Sequence, residues 1–181
     1  MSSRLNHFDH DGRARFVTFC TRNRLPLLTN NDFRQRLANV IESEHRTGRF
    51  ELLGWIFMPD HVHLVLVPDL RERLGPLVGD IKRISARSIH EELVRKHSPL
   101  PERLSVVSGT SLHFAFWQKR CYARTCRTDG EIRRTIEYCH YNPVVKGLVK
   151  RPEDWPWSSY NDYYGTKPGK LSIDHIELIG D

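Results

Sequence analysis

Two histidines one residue apart, His61 and His63, and a tyrosine and an asparagine four apart, Tyr138 and Asn142, are the residue types whose spacing could do chemistry in this chain. In an extended strand alternate side chains share a face. His61 and His63 therefore point together, ~6–7 Å apart at the backbone, which is close enough for two imidazoles to hold one metal ion. In a helix, residues four apart stack on one side, so Tyr138 would present a phenol and Asn142 an amide to a common neighbour, with Arg134 one turn earlier. A phenol is a nucleophile for phosphorus, and a divalent cation is what an anionic phosphodiester needs before it can be attacked. Each pair also has a plain structural use. A His-x-His pair arises on half-exposed strands without function, Tyr138 could be a packed aromatic, and Asn142 could cap a helix before Pro143.

The elements that must position these groups can be read from pattern. Residues 15–21 form a β-prone run ended by the turn-like segment 22–26. Asn31 or Asp32 caps a helix whose buried face carries Phe33, Leu37, Val40 and Ile41, and Gly48 ends it. Residues 50–58 and 61–68 read as an antiparallel pair joined at Pro59-Asp60. In the second of these strands Val62, Leu64 and Leu66 alternate with the histidines and demand a covered face. Leu77, Ile81, Ile84 and Ile89 recur at helical spacing to about Lys96. Residues 98–110, rich in Pro, Ser and Gly, read as a flexible loop, and 113–117 as a further strand. Thr128 or Asp129 opens a last helix that Asn142-Pro143 should terminate. The order β-α-β-β-α-β predicts an α+β fold, a ferredoxin-like antiparallel sheet of the split βαβ kind, with an additional C-terminal helix carrying Tyr138. One catalytic domain over residues 1–165 and a tail over 166–181 are expected.

Composition sets the partners. The chain of 181 residues has 28 Lys and Arg against 22 Asp and Glu, a net charge of +6. That balance favours a polyanion. Lys82, Arg83, Arg87, Arg95 and Lys96 share one expected helix. Lys119, Arg120, Arg124 and Arg127 crowd a stretch that also holds Phe114, Phe116, Trp117 and Tyr122, and cations beside aromatic faces suit single-stranded nucleic acid. Lys82, Arg83, Lys119 and Arg120 are the candidate phosphate contacts. Cys20, Cys121, Cys126 and Cys139 lack zinc-type spacing and read as reduced thiols. The N-terminus has no apolar signal core, and no apolar run reaches the ~20 residues of a membrane helix. The expectation is a cytoplasmic, nucleoid-associated protein with no membrane partner.

Three motifs in order carry a resemblance. Trp55-Ile-Phe-Met-Pro-Asp-His-Val-His-Leu64 resembles the HUH motif of single-tyrosine transposases of bacterial insertion sequences. Tyr138-Cys-His-Tyr-Asn-Pro-Val-Val-Lys-Gly-Leu-Val149 and Trp155-Pro-Trp-Ser-Ser-Tyr160 narrow it to the REP-associated tyrosine transposases, over about residues 15–160. The resemblance implies that Tyr138 is the nucleophile and that His61, His63 and Asn142 are ligands of a divalent metal. Mixed imidazole and amide ligation suits Mg²⁺ or Mn²⁺ and leaves zinc open. It also implies a 5′-phosphotyrosine intermediate, cutting of single-stranded DNA near a hairpin formed by a REP-like palindrome, and a monomer in preference to a dimer. Tyr122-Ala-Arg124 departs from the aromatic-acid-histidine triplet usual at that place, and Cys121 and Cys139 replace larger hydrophobes; none of these departures touches the implied nucleophile or ligands. The competing readings are a domesticated, non-catalytic DNA-hairpin binding module and a metal phosphodiesterase that activates water.

Overall fold

The structure, a computed structural model, describes residues 10–165 and 169–176. Strand β1 (Arg15–Thr21) leads through two short 3-10 turns into helix α1 (Asn31–Arg46). The side chain of Asn30, one residue before the expected cap, accepts the backbone N–H groups of Asp32 and Phe33. Strands β2 (Phe50–Phe57) and β3 (His61–Pro68) pair antiparallel, and helix α2 (Leu74–Arg95) follows.

Residues 98–110 are not the open loop expected. They contain a single helical turn, α3 (Leu100–Arg103), and strand β4 (Ser105–Ser108), which pairs with β5 (Ser111–Phe114). The two-residue turn Gly109-Thr110 closes this hairpin, and Gly109 at φ +62 supplies the left-handed first position such a turn requires. Polar composition hid a strand made by Val106 and Val107. The expected strand at 113–117 is divided accordingly. His113 and Phe114 belong to the hairpin, and the fourth strand of the main sheet is β6 (Trp117–Thr125). Its cations mask the alternation because β6 is an edge strand whose outer positions face water.

The main sheet has the order β2-β3-β1-β6. Strand β3 is thus central, as the split βαβ order predicts. Val17 and Phe19 of β1, Trp55 and Phe57 of β2, and Val62, Leu64 and Leu66 of β3 pack with residues of α1 and α2 on one face. The other face is covered by helix α4 (Asp129–Val145), where Phe16, Leu53, Ile56 and Val65 meet Ile136 and Cys139. The result is three layers with the sheet in the middle.

Helix α4 starts on Thr128, whose hydroxyl accepts the N–H of Glu131, while the Glu131 carboxylate accepts the N–H of Arg127. It does not stop at Asn142-Pro143, as the sequence suggested. Proline removes one N–H, but the helix runs to Val145, with Lys146 N–H donating to the Asn142 carbonyl and Gly147 (φ +67) ending it. Asn142 is therefore a side chain of the helix body, free to face the sheet. The expected tail is described over 169–176, where Leu171 is buried and Asp174 bonds to β2. Its residues 166–168 and 177–181 lie outside the described residues.

Candidate active site

His61 and His63 both project from β3 toward α4, and both are buried. Their far nitrogens are each engaged. The Asp60 carboxylate lies 2.6 Å from Nδ1 of His61, and because a carboxylate accepts, His61 carries its proton there and offers an Nε2 lone pair. The hydroxyl of Thr18, which β1 places opposite His63, lies 2.7 Å from Nδ1 of His63. The two Nε2 atoms then face each other at 3.1 Å. Burial pushes the His61 imidazolium below its ordinary range despite Asp60. For His63, burial and then the neighbouring His61 and Arg24 carry it down to about 3. Both rings are neutral at neutral pH, the form that binds metals.

Helix α4 brings the third group. The Asn142 amide nitrogen lies 3.2 Å from Nε2 of His63, while Oδ1 of the same amide is buried with no hydrogen-bond partner among the described residues. A buried carbonyl oxygen left unpaired costs about 1–3 kcal/mol. Turning the amide by half a rotation exchanges N for O and aims Oδ1 at the same place as the two Nε2 atoms. Two imidazole nitrogens and an amide oxygen then surround one point. Among the described residues no three His, Cys, Asp or Glu side chains gather closely enough to hold a metal, so a cation here needs the amide. The donor set and the orphaned oxygen both fit a divalent ion.

Tyr138, one turn before Asn142, has its ring centroid 5.7 Å from that of His63 and meets the edge of Phe16 at 6.0 Å. It is 55% exposed, so a bulky substrate can reach it. Phe16 in turn stacks on His63 at 5.0 Å and lies under the Arg124 guanidinium at 5.2 Å. Arg124 also donates to Thr135 of α4 at 2.7 Å. Gly54 lets α4 come this close. A Cβ there would sit 3.0 Å from a methylene of Ile136.

The structure brings His61, His63, Tyr138 and Asn142 together, while the four candidate phosphate contacts lie on α2 and β6. The Lys82 ammonium donates to the backbone carbonyl of Lys119 at 3.0 Å, tying α2 to β6. Arg83 pairs with Asp80 at 3.0 Å on the exposed side of α2. Lys119 and Arg120 are exposed on the sheet edge. Thr18, Asp60 and Phe16 went unrecognised in the sequence. Asp60 adjoins His61 and could have been flagged, whereas Thr18 and Phe16 become neighbours only through the β1–β3 register.

The family model described as "Transposase IS200 like" matches residues 14–142. A REP-associated tyrosine transposase of Escherichia coli K12 is 24% identical over 151 residues, 83% of this chain and 78% of that protein. A Haemophilus influenzae Rd protein given the same name provisionally is 26% identical over 132 residues, 72% of this chain and 68% of its own. Among solved structures, a REP-associated tyrosine transposase bound to a REP hairpin superposes with a TM-score of 0.71 at 22% identity, over 96% of this chain and 93% of that one. That likeness establishes the fold. Among the described residues no helix is long and apolar enough to cross a membrane.

Proposed function

The chain belongs to the IS200-like transposase family, enzymes that nick and rejoin DNA, and on that premise we propose that it cuts single-stranded DNA with Tyr138 as nucleophile and a divalent cation on His61, His63 and Asn142. The observation that carries the proposal is the meeting of two Nε2 atoms 3.1 Å apart, the Asn142 amide 3.2 Å from one of them, and an accessible phenol one helical turn away. Mg²⁺ or Mn²⁺ suits nitrogen and amide-oxygen donors that leave coordination positions open. Such an ion would offset phosphate charge and polarise the phosphorus.

The chain's own residues do the rest. The Tyr138 oxygen attacks phosphorus, the bond from phosphorus to the 3′ oxygen breaks, the phenol proton departs and the leaving oxygen takes one up. The products are a 5′-phosphotyrosyl ester and a free 3′-hydroxyl. The ester keeps the energy of the broken linkage, so the reverse attack rejoins a strand without ATP. Asp60 and Thr18 fix the orientation of the two imidazoles, and Phe16 holds the His63 and Tyr138 rings against each other. A single strand suits this site, because its backbone can bend a phosphate into the cleft between α4 and the sheet.

The substrate we propose is a REP-like palindrome folded as a hairpin with a single-stranded flank, supported by the likeness to a protein solved with such a hairpin. Lys82, Arg83, Lys119 and Arg120 remain the proposed contacts to its backbone, of which Lys119 and Arg120 are the more available. The catalytic domain is proposed to span residues 1–165. A hairpin-binding module without chemistry would have no use for the convergence of two neutral imidazoles, an amide and a phenol.

The test is a denaturing gel after incubation with a hairpin oligonucleotide and Mn²⁺. A covalent protein–DNA band is expected from the native chain and none from Tyr138→Phe, with hairpin binding kept. A Tyr138→Phe protein that still forms the band refutes the nucleophile. Cleavage without any tyrosyl adduct would support the water-activating phosphodiesterase instead.

A further inference from the structure

The strained turn after β1 carries a cation outside the set of His61, His63, Tyr138 and Asn142. Asn23 and Arg24 both have left-handed backbones, at φ 51 and 57. Asparagine adopts this conformation readily, but for Arg24 it costs about 1–2 kcal/mol. The surroundings hold the turn there. The Thr21 hydroxyl lies 2.6 Å from the Leu25 carbonyl and 3.0 Å from that of Asp60. The backbone N–H groups of Thr21 and Leu28 donate to Asp60 and Pro59, both at 2.9 Å. Strain at this level marks places where position matters more than stability.

What the strain secures is one guanidinium. Nε of Arg24 forms an ion pair with Oδ2 of Asp60 at 2.8 Å, and Nη1 donates to the sulfur of Cys20 at 2.9 Å. Nη2 has no acceptor among the described residues, and the side chain is about half exposed, at 52%. The other oxygen of Asp60 is the one that holds Nδ1 of His61. Arg24, Asp60 and His61 thus form one chain that ends in an open cationic fork beside the two imidazoles. Lys146, just past α4, is a second exposed cation within electrostatic reach of His61, and it forms no ion pair among the described residues.

We propose that Arg24 is an anion-binding residue of this site, gripping a DNA phosphate with Nη2 while it positions Asp60 and, through it, His61. The inference rests on the DNA-cutting reading of the site and adds the group that seats the strand. Arginine is required because a guanidinium can hold a carboxylate on one edge and a phosphate on another, whereas an ammonium serves one geometry at a time.

The experiment measures the affinity of the Tyr138→Phe protein for a short oligothymidylate over a range of salt concentrations, with Mn²⁺ present. Each phosphate contact contributes about 0.7 to the slope of log affinity against log salt for single strands. Arg24→Ala should lose about that much slope and about tenfold in affinity at low salt. Arg24→Lys should restore the slope without restoring the affinity. Arg24→Gln, which keeps a donor for Asp60, guards against a variant that fails to fold and should also lose the slope. Mn²⁺ affinity, read by calorimetry, should fall about tenfold or more in Asp60→Ala and only severalfold in Arg24→Ala. An unchanged salt slope in folded Arg24→Ala and Arg24→Gln overturns the proposal, whatever happens to their melting temperatures. Absence of a tyrosyl adduct from the native chain together with a changed slope would instead sink the nickase reading and leave the phosphate contact standing.

Discussion

Asn142 separates a metal site from a packed histidine pair. If its only role were to donate to Nε2 of His63, a shorter residue would lose one hydrogen bond and little else. Asn142→Ala is expected to weaken Mn²⁺ binding at least tenfold, while Asn142→Asp, which supplies an anionic oxygen at the same place, should retain it. Calorimetric titration of both variants decides the matter, and equal affinities in Asn142→Ala and the native chain would exclude the amide as a ligand. The residue types and spacing of His61, His63, Tyr138 and Asn142 were legible in the sequence because period two and period four are local properties of strand and helix. Thr18 was not, since a threonine on β1 gains its meaning only from lying opposite His63, and register is settled by the whole sheet. The surroundings of Lys82 were hidden for a related reason. Its charge was visible, but not the Lys119 carbonyl that takes one of its N–H groups.

Helix α4 must lie close to the sheet for Tyr138 and Asn142 to reach β3, and Gly54 sets that distance. Adding a single Cβ there brings it 3.0 Å from Ile136, tighter than ordinary packing allows. Gly54→Ala should cost about 1–3 kcal/mol in urea unfolding and reduce adduct formation further than stability alone explains. Ile136→Ala, which removes the Cγ1 that the new Cβ meets, should cost less alongside Gly54→Ala than it does in the native chain. Equal costs in the two backgrounds would mean that the glycine serves the β2 bulge, where the register with β3 shifts between Leu52 and Gly54, rather than the helix approach. On the opposite face, Glu92 joins the two helices, bonding to Arg36 of α1 at 2.8 Å and to Arg95 and Lys96 beside it. Hydrogen bonds from Arg95 and Lys96 hold its carboxyl down to about 2. A lowered folded-state value adds stability that is complete above the ordinary carboxylate range and lost as pH falls toward about 2. Glu92→Gln should therefore melt below the native chain at pH 7, with the gap closing as pH drops from about 4 toward about 2, as followed by circular dichroism. The helices and three of the main strands could be read from periodicity. Strand β6 and the β4–β5 hairpin could not, because an edge strand with exposed cations and a hairpin of serines and two valines lack the alternation that a covered face imposes.

The three-layer arrangement leaves the sheet with two edges, and they are treated differently. Strand β6 carries Lys119 and Arg120 on an exposed edge, where charge discourages pairing with another chain and can attract a polyanion. Strand β2 is covered by its own chain. Ser158 bridges to Ile56, and the Asp174 backbone N–H donates to the Leu52 carbonyl at 2.8 Å. The Asp174 carboxylate takes the Leu52 N–H at 2.7 Å and also meets His45 of α1 at 2.7 Å. Leu171 is buried in the same core as the sheet, so residues 169–176 act as part of the wall on this side. Asp174→Ala strands the Leu52 N–H and should cost about 1 kcal/mol, the usual worth of one such bond. Truncation after residue 165 should cost more, because it removes the buried Leu171 and opens the β2 edge together. The consequence reaches the site through the sheet. Gly54 lies two residues beyond Leu52, and a β2 edge that frays there loosens the seat of α4 and hence the approach of Tyr138 to His63. Amide hydrogen exchange on the truncated chain should show faster exchange first along β2 and then in α4, with α1 and α2 protected longer. Faster exchange confined to β2, with α4 and adduct formation untouched, would show that the edge and the site are independent.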